Sequence, residues 1–270
     1  MAKNYSFIGA GNMAGAIIKS FIKNDVSDPD EIFAFDIDKN KYEDLKETGI
    51  HLCENIKEAI ELADYVILAV KPQFMSSALE SIKTVPGFEQ KVFVSIAAGI
   101  TTKFIEEGLG LNLPVIRTMP NTPFLVGMGA IALSKNDNVS DFDFETVYND
   151  FTRVAATIIL PEDKMNSIVC VNGSSPAYVF KFIRAMLDGA SEQGLGEEEV
   201  KELVLRSIEG SVEMVRSTGL SIQALIDMVT SKKGTTEKAI IALDENEFEE
   251  SIKIAMNACT KRAIELAEGK

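Results

Sequence analysis

Over its first 160 residues, the chain alternates short apolar runs with helical patterns. The runs are short and rich in β-branched and aromatic residues, so each predicts a strand. Strands are predicted at residues 4–8, 31–35, 65–70, 91–96 and 114–117, with shorter edge strands at 130–133 and 157–160. Apolar strands separated by helices are typical of a parallel sheet covered on both faces. The sequence therefore predicts an α/β fold with a doubly wound, mostly parallel sheet.

The intervening segments predict an amphipathic helix at 13–23 and polar surface helices at 39–48 and 55–62. After residue 160 no run of strand type remains, and the patterns are helical throughout. Helices are predicted at 177–191, from Glu197 onward, and at 221–229, 235–243 and 247–268. We therefore predict two domains, 1–162 with the sheet and 163–270 all helical.

The helix predicted at 177–191 is apolar on nearly every side. A helix of this kind needs to be buried on all its faces. Two explanations remain open, a self-contained helical bundle or an interface with a second copy of the chain. We favour the interface, which makes the second half a dimerisation domain.

Composition excludes several classes of function. A net charge of −14 disfavours binding to nucleic acid or to anionic membranes. His51 is the only histidine, and Cys53, Cys170 and Cys259 match no metal-binding spacing, so no metal site is expected. Reduced thiols and the lack of a membrane or secretory segment favour the cytoplasm. The chemistry is then expected from a cofactor.

A glycine-rich turn follows the first predicted strand and opens a helix. Its residues are Gly9, Ala10, Gly11, Asn12, Met13 and Ala14. In a dinucleotide-binding turn, the first glycine permits the tight bend, the second admits the pyrophosphate, and the small third residue packs against the strand. The helix N-terminus supplies free amides for the phosphates. We therefore predict that Gly9, Gly11, Asn12, Met13 and Ala14 bind a dinucleotide.

Asp36 closes the second predicted strand, about 20 residues beyond the turn, where a ribose-binding acid is expected. An acid at this position favours NADH and repels the 2′-phosphate of NADPH. Lys39 and Lys41 follow at once and offer positive charges to that phosphate. The choice between NADH and NADPH stays open at this point.

Further segments, taken in order with the turn, resemble the pyrroline-5-carboxylate reductase family along essentially the whole chain. They are Ala69-Val70-Lys71-Pro72, residues 95–100, Met119-Pro120-Asn121-Thr122-Pro123, residues 173–178 and residues 229–236. The resemblance implies a Rossmann domain followed by a helical domain that intertwines in a dimer, with dimers commonly assembled into rings. It also implies hydride transfer from NADPH or NADH to the C=N carbon of 1-pyrroline-5-carboxylate, which yields L-proline.

The same resemblance implies roles for individual residues. The cofactor is expected to contact two turns at strand ends, formed by Ala69, Val70, Lys71, Pro72, Ala97, Ala98 and Gly99. The substrate is expected to contact Asn121, Ser231, Gly234, Thr235 and Thr236. Within this set, the amides at 234–236 would bind the substrate carboxylate, and the Thr236 hydroxyl would act catalytically by relaying a proton to or from the ring nitrogen. Simple helix capping by Ser231 or Thr235 remains the alternative.

The chain departs from the family pattern in two places. Ser175 stands where the family usually has glycine, and Lys232-Lys233 stand where it usually has Pro-Gly. The second departure lies in the expected substrate loop. Two other functions therefore stay open: reduction of a different imine or keto acid, and a non-catalytic regulatory role that retains nicotinamide binding.

Overall fold

The structure, a computed structural model, describes residues 3–267. The chain divides into two compact units. One unit runs to Pro176 and takes in the chain again from Cys259 onward, and the other is Ala177–Ala258. The predicted domain boundary between residues 162 and 163 stays a prediction.

The first unit contains an eight-stranded sheet. Its strands are β1 (Tyr5–Ile8), β2 (Ile32–Phe35), β3 (His51–Leu52), β4 (Tyr65–Leu68), β5 (Val92–Ser95), β6 (Val115–Pro120), β7 (Gly129–Lys135) and β8 (Ala155–Ile159). The strand order is β3-β2-β1-β4-β5-β6-β7-β8. All neighbours are parallel except β6 and β7. The prediction of a doubly wound, mostly parallel sheet is confirmed.

Helices follow most strands. Those of the first half are α1 (Asn12–Lys23), α2 (Ile56–Glu61), α3 (Met75–Ile82), α4 (Thr102–Leu109) and α5 (Asp141–Thr152). Those of the second half are α6 (Ser175–Glu192), α7 (Glu197–Thr218), α8 (Ile222–Val229), α9 (Thr235–Glu245) and α10 (Phe248–Ala267). A single π-helical turn, Val169–Gly173, precedes α6. The predicted end of the last helix at residue 268 lies outside the described residues.

Two apolar layers cover the sheet, because successive side chains of a strand point to opposite faces. In β4, Ile67 belongs to the layer that contains α1 and α5 residues, whereas Val66 belongs to the layer that contains α2, α3 and α4 residues. Both side chains are fully buried. Burial on both faces explains why the strands appear in the sequence as unbroken apolar runs.

The structure corrects two of the predicted elements. The strand predicted at 130–133 as a short edge strand is β7, which has seven residues and lies inside the sheet between β6 and β8. The polar helix at 39–48 is a 3₁₀ helix. Its two buried side chains, Tyr42 and Leu45, are three residues apart. Side chains three residues apart are eclipsed on a 3₁₀ helix, so both lie on its buried face.

A buried arginine fastens the segment after β8 to the sheet. Arg117 in β6 is 3% exposed, and its guanidinium lies 3.6 Å from the Glu162 carboxylate and donates a 2.6 Å hydrogen bond to Asn166. Burial lowers the pKa of Arg117, and Glu162 partly opposes that shift. Glu162 also accepts hydrogen bonds from the amide and hydroxyl of Thr102. These bonds satisfy a charge that would otherwise be costly to bury.

The second unit exposes many large apolar side chains. On α6, Phe180 is 63% exposed, Val179 is 45% exposed, and Leu187 is the one buried residue. Leu203 on α7 and Val229 on α8 are also exposed. Leu187 packs with Val200 and Val204 of α7 in a small core. Most of the apolar side chains at 177–191 are thus not buried within this unit.

Candidate functional site

The glycine-rich turn leaves the carboxyl end of β1. Gly9 has a φ of +106°, a conformation that residues with a side chain rarely adopt. A Cβ at Gly9 would lie 2.6 Å from the carbonyl oxygen of Ala69, so the turn passes directly against the end of β4. Its amide donates to the carbonyl of Phe35 at the end of β2. Glycine at this position is therefore required by the sheet itself.

Gly11 occupies a different environment. It is the N-cap of α1 and has no side chain to cap the helix amides. A Cβ placed on Gly11 meets no atom within 4 Å, so the space in front of it is open. The amides of Asn12, Met13 and Ala14 form the first helical turn, where N–H groups lack partners within the helix. These residues fit the pyrophosphate of a dinucleotide.

Asp36 lies beside this turn at the end of β2. One carboxylate oxygen accepts a 2.8 Å hydrogen bond from the amide of Ala10, and the other accepts a 2.9 Å bond from the amide of Asp38. Two backbone donors therefore fix the carboxylate next to the glycine-rich turn. Asp36 therefore lies beside this turn, and its contact with the ribose stays a prediction.

The two lysines after Asp36 differ in what they contact. The Lys39 ammonium donates to the carbonyls of Cys53 and Glu54 and to the Tyr42 hydroxyl, at 2.8, 3.2 and 3.0 Å. It also lies over the aromatic rings of Phe35 and Tyr42. Lys41 is exposed. The Lys39 ammonium is thus engaged by neighbouring groups of the protein, whereas a contact between Lys41 and a 2′-phosphate stays a prediction.

The ends of β4 and β5 carry the other predicted cofactor residues. Ala69 and Val70 are half-buried, Lys71 is exposed, and Pro72 begins a short 3₁₀ helix. After β5, Ala97 is buried and Ala98 is half-buried. Since both strands are parallel to β1, these turns lie at the same edge of the sheet as the glycine-rich turn.

Gly99, also predicted as a cofactor residue, has a packing role. Its φ is +75°, and a Cβ there would lie 3.1 Å from the Leu266 side chain of α10. Glycine is therefore needed at this turn to accommodate the helix, whether or not it touches a ligand.

Asn121 follows β6 and is 9% exposed. Its side-chain oxygen accepts a 2.9 Å hydrogen bond from the amide of Ala130. Its amide nitrogen is the part of the side chain left for a ligand. Nearby, Asn172 donates to the carbonyls of Met119 and Ala130. Asn172 was missed by the sequence reasoning, because nothing local distinguishes it from a surface asparagine.

The predicted substrate loop lies in the other unit, between α8 and α9. Gly234 is the N-cap of α9, and no side chain caps this helix. Thr235 is exposed and Thr236 is half-buried in the first turn, so their amides have no intrahelical acceptor. A Cβ on Gly234 would lie 2.5 Å from the Ser231 hydroxyl oxygen, which makes the turn compact. Ser231 therefore packs against this turn and is not the helix cap.

Lys233 adopts the conformation expected of a glycine. Its φ is +61°, in the left-handed region. Its amide donates a 2.8 Å hydrogen bond to the Glu237 carboxylate one turn into α9. Lys232 and Lys233 are both exposed. The unusual pair thus changes the charge of the loop while its backbone stays tightly turned.

The single histidine is not among the residues predicted to bind cofactor or substrate, and it packs against a neighbouring strand. His51 forms part of β3 and stacks on Phe33 of β2 at 4.8 Å. An uncapped helix N-terminus, an acid held by two amides and small turns at one edge of the sheet fit a dinucleotide, and a nicotinamide would supply the redox chemistry there. The fold and this site define an NAD(P)H-dependent oxidoreductase.

Comparisons with known proteins agree with that class and refine it. Residues 4–99 match the family "NADP oxidoreductase coenzyme F420-dependent", and residues 162–266 match "Pyrroline-5-carboxylate reductase dimerisation". The chain is 35% identical to the pyrroline-5-carboxylate reductase of Escherichia coli strain K12, over 99% of this chain and 100% of that protein. The chain belongs to the pyrroline-5-carboxylate reductase family, whose predicted resemblance is thereby confirmed.

Solved structures give the same result. The Coxiella burnetii pyrroline-5-carboxylate reductase aligns with a TM-score of 0.88 and 32% identity over 99% of both chains. The Plasmodium falciparum pyrroline carboxylate reductase, solved with NADP bound, aligns with a TM-score of 0.90 and 28% identity over 98% of both chains. The predicted use of a nicotinamide cofactor is confirmed, and the match to a dimerisation domain indicates an oligomer. No helix among residues 3–267 is long and apolar enough to cross a membrane.

Proposed function

We propose that this chain reduces 1-pyrroline-5-carboxylate to L-proline with a hydride from NADPH or NADH, the last step of proline biosynthesis. The observation that most supports this proposal is the structure of the loop at 231–236. The loop keeps a compact turn at an uncapped helix N-terminus even though Lys233 replaces the expected glycine. Such a terminus suits a substrate carboxylate.

The residues predicted for the substrate have complementary tasks in this proposal. The amides of Thr235 and Thr236 bind the carboxylate, and the side chain of Ser231 supports the turn against Gly234. The Thr236 hydroxyl hydrogen-bonds the ring nitrogen and passes a proton to or from it. Asn121, whose side-chain oxygen accepts a hydrogen bond from the Ala130 amide, is a further proposed substrate residue.

The reaction needs little acid-base chemistry from the protein. A cyclic imine protonated on nitrogen already carries an electrophilic carbon. Bound nicotinamide supplies the hydride that adds to this carbon, and the ring nitrogen becomes a secondary amine. The protein contributes position, exclusion of water and charge complementarity. The absence of histidine from the predicted site residues agrees with this division of labour.

The cofactor is held by the residues around the glycine-rich turn. The amides of Asn12, Met13 and Ala14 take the pyrophosphate, and Asp36 takes the adenosine ribose. The turns at 69–70 and 97–98 allow the nicotinamide to approach the sheet edge, and exposed Lys71 lies beside the cofactor. Lys41 is the cation available to NADPH, because Lys39 is committed to carbonyl groups.

The functional form is a homodimer or a ring of dimers. The exposed apolar side chains of α6 support this assembly, since monomeric proteins rarely leave large apolar patches in water. Sedimentation at micromolar protein concentration is expected to give a dimer or a larger species, and a stable monomer would contradict the assembly. The net charge of −14 supports a protein without nucleic-acid or membrane partners, and three free cysteines support the cytoplasm.

Rescue of a proline auxotroph, together with the rate of NADPH and NADH oxidation by purified enzyme, tests the reaction. The matched variant is Thr236→Val, which keeps the shape of the side chain and removes its hydroxyl. We expect rescue by the wild-type chain and a loss of at least tenfold in kcat for the variant. Turnover of other cyclic imines or keto acids without turnover of pyrroline-5-carboxylate would show a different substrate. Nicotinamide binding without any turnover would show a regulatory protein.

A further inference from the structure

Asn172 bridges the two strands that lead to and from the Met119–Asn121 segment. Its side-chain nitrogen donates to the carbonyl of Met119 at 2.6 Å and to that of Ala130 at 3.0 Å. Met119 is near the end of β6, and Ala130 is near the start of β7. Asn172 is 9% exposed, so water cannot readily replace these bonds. One buried amide thus fastens both arms of the hairpin.

The backbone pairing of β6 and β7 ends here, so side chains stabilise this end of the β6–β7 hairpin. Pro120 pairs with Ile131 and has no amide hydrogen to donate. Beyond it, the Asn121 side chain accepts from the amide of Ala130, and Asn172 donates to the carbonyl of Ala130. Both backbone polar groups of Ala130 are therefore satisfied by side-chain amides. The position of Asn121 therefore depends on these two hydrogen bonds at Ala130.

The backbone around Asn172 is itself unusual. It lies in the π-helical turn Val169–Gly173, closed by a 2.9 Å bond from the amide of Ser174 to the carbonyl of Val169. Turns of this kind occur frequently at functional sites. Next to Asn172, a Cβ on Gly173 would lie 2.3 Å from the Met119 methyl group, so the turn fits closely over β6. The extra residue of the turn aims the Asn172 amide at the hairpin.

We propose that Asn172 is a positioning residue for hydride transfer, acting through the Met119–Asn121 segment. This rests on the proposed function, in which Asn121 contacts the substrate. Removal of the Asn172 donors takes a hydrogen bond from each of two half-buried carbonyls and lets the segment shift. A displacement of about 1 Å at a reacting group can lower a rate by about 100-fold.

The test is Asn172→Asp in the full-length enzyme, a change that keeps the size of the side chain and removes both donors. Asn136 offers a matched control at the opposite end of the same strand pair. It donates to the carbonyl of Leu113 at 2.8 Å and accepts from the amide of Val115 at 3.1 Å. Asn136→Asp therefore also loses a hydrogen-bond donor near β6, but at the other edge of the sheet.

We expect Asn172→Asp to lower kcat at least tenfold, to raise the primary deuterium isotope effect from 4-deuterated NADPH, and to leave the Kd for NADPH within twofold. Amide hydrogen exchange should increase in the segment 119–130. Asn136→Asp should lower the melting temperature while kcat and the isotope effect stay as in wild type. Asn172→Ser, with a shorter single donor, provides a milder variant if the aspartate prevents folding, and it should show the same changes to a smaller extent.

Wild-type kcat and isotope effect in a folded Asn172 variant would overturn the proposal, as would equal losses of kcat in the Asn136 control. Unchanged exchange at 119–130 would overturn it as well, and this measurement needs no substrate. If wild-type enzyme does not reduce pyrroline-5-carboxylate, the proposed function fails separately, and the exchange experiment still decides whether Asn172 holds the segment.

Discussion

Substitution of the two glycines of the cofactor turn is expected to impair different properties, namely cofactor binding at Gly11 and the stability of the fold at Gly9. Gly11 has an ordinary φ of −75°, and a Cβ there meets no protein atom within 4 Å. Gly11→Val should therefore leave the fold intact, at a cost of about 1 kcal/mol for the poorer helix cap. The same side chain fills the space assigned to the pyrophosphate. NADPH affinity should fall at least 100-fold, which is about 2.7 kcal/mol.

Gly9→Ala should instead damage the sheet. An alanine at φ +106° is strained by about 1–3 kcal/mol. Its Cβ would also lie 2.6 Å from the Ala69 carbonyl oxygen, a backbone atom that cannot turn away. We expect a total loss of about 3–5 kcal/mol, and a melting temperature lower by about 10 °C at 2–4 °C per kcal/mol.

Thermal denaturation with and without NADPH separates the two effects, because a ligand raises the melting temperature only of a protein that binds it. Wild type should be stabilised by NADPH, and Gly11→Val should melt near the wild-type temperature with no response to NADPH. Fluorescence titration of NADPH gives the affinities directly. Normal NADPH binding by Gly11→Val would refute the assignment of the pyrophosphate site, and an undamaged Gly9→Ala would refute the steric argument.

Two further variants and one labelling experiment test other parts of the molecule. Asp36→Ser should raise the ratio of NADPH to NADH catalytic efficiency at least tenfold, because it removes a negative charge from the ribose site; an unmoved ratio would show that Asp36 does not touch the ribose. Lys233→Gly should raise the free energy of unfolding by up to about 1 kcal/mol, measured in urea, since left-handed lysine is strained. Burial raises the pKa of Cys53 to about 11, so this thiol should resist iodoacetamide at pH 8 until the protein unfolds; rapid native labelling would contradict that burial.

The sheet could be predicted because its strands are buried on both faces and hence apolar throughout. The errors fell where that signal weakens. The run GAIALSK of β7 has only two large apolar residues, so it was predicted as a short edge strand although it lies between two other strands. The strand β3 has only two residues and was not predicted at all. For segments this weak, pairing partners decide the structure, and those partners are distant in sequence.

Among the site residues, those with local requirements could likewise be predicted and those with distant partners could not. The glycine-rich turn was predictable because its requirements are local: a tight bend, an open approach and a small packing residue. The role of Lys39 was not, since it depends on the carbonyls of Cys53 and Glu54 in another part of the chain. Asn172 likewise depends on a π-helical turn and on two strands it does not adjoin in sequence. Arg117 carried a clearer signal, because a charge within an apolar strand requires a partner.

The loop at 231–236 keeps a tight backbone turn although two of its residues depart from the family pattern. Its turn is set by residues around Lys233: Gly234 lies against Ser231, and Glu237 accepts the Lys233 amide hydrogen. These contacts hold the left-handed conformation despite a side chain that disfavours it. Lysine then costs about 1 kcal/mol in backbone strain and adds positive charge near the proposed carboxylate site. Because exposed charges are screened, any gain in substrate binding from Lys232 and Lys233 should shrink as salt is added, whereas the backbone contribution should not.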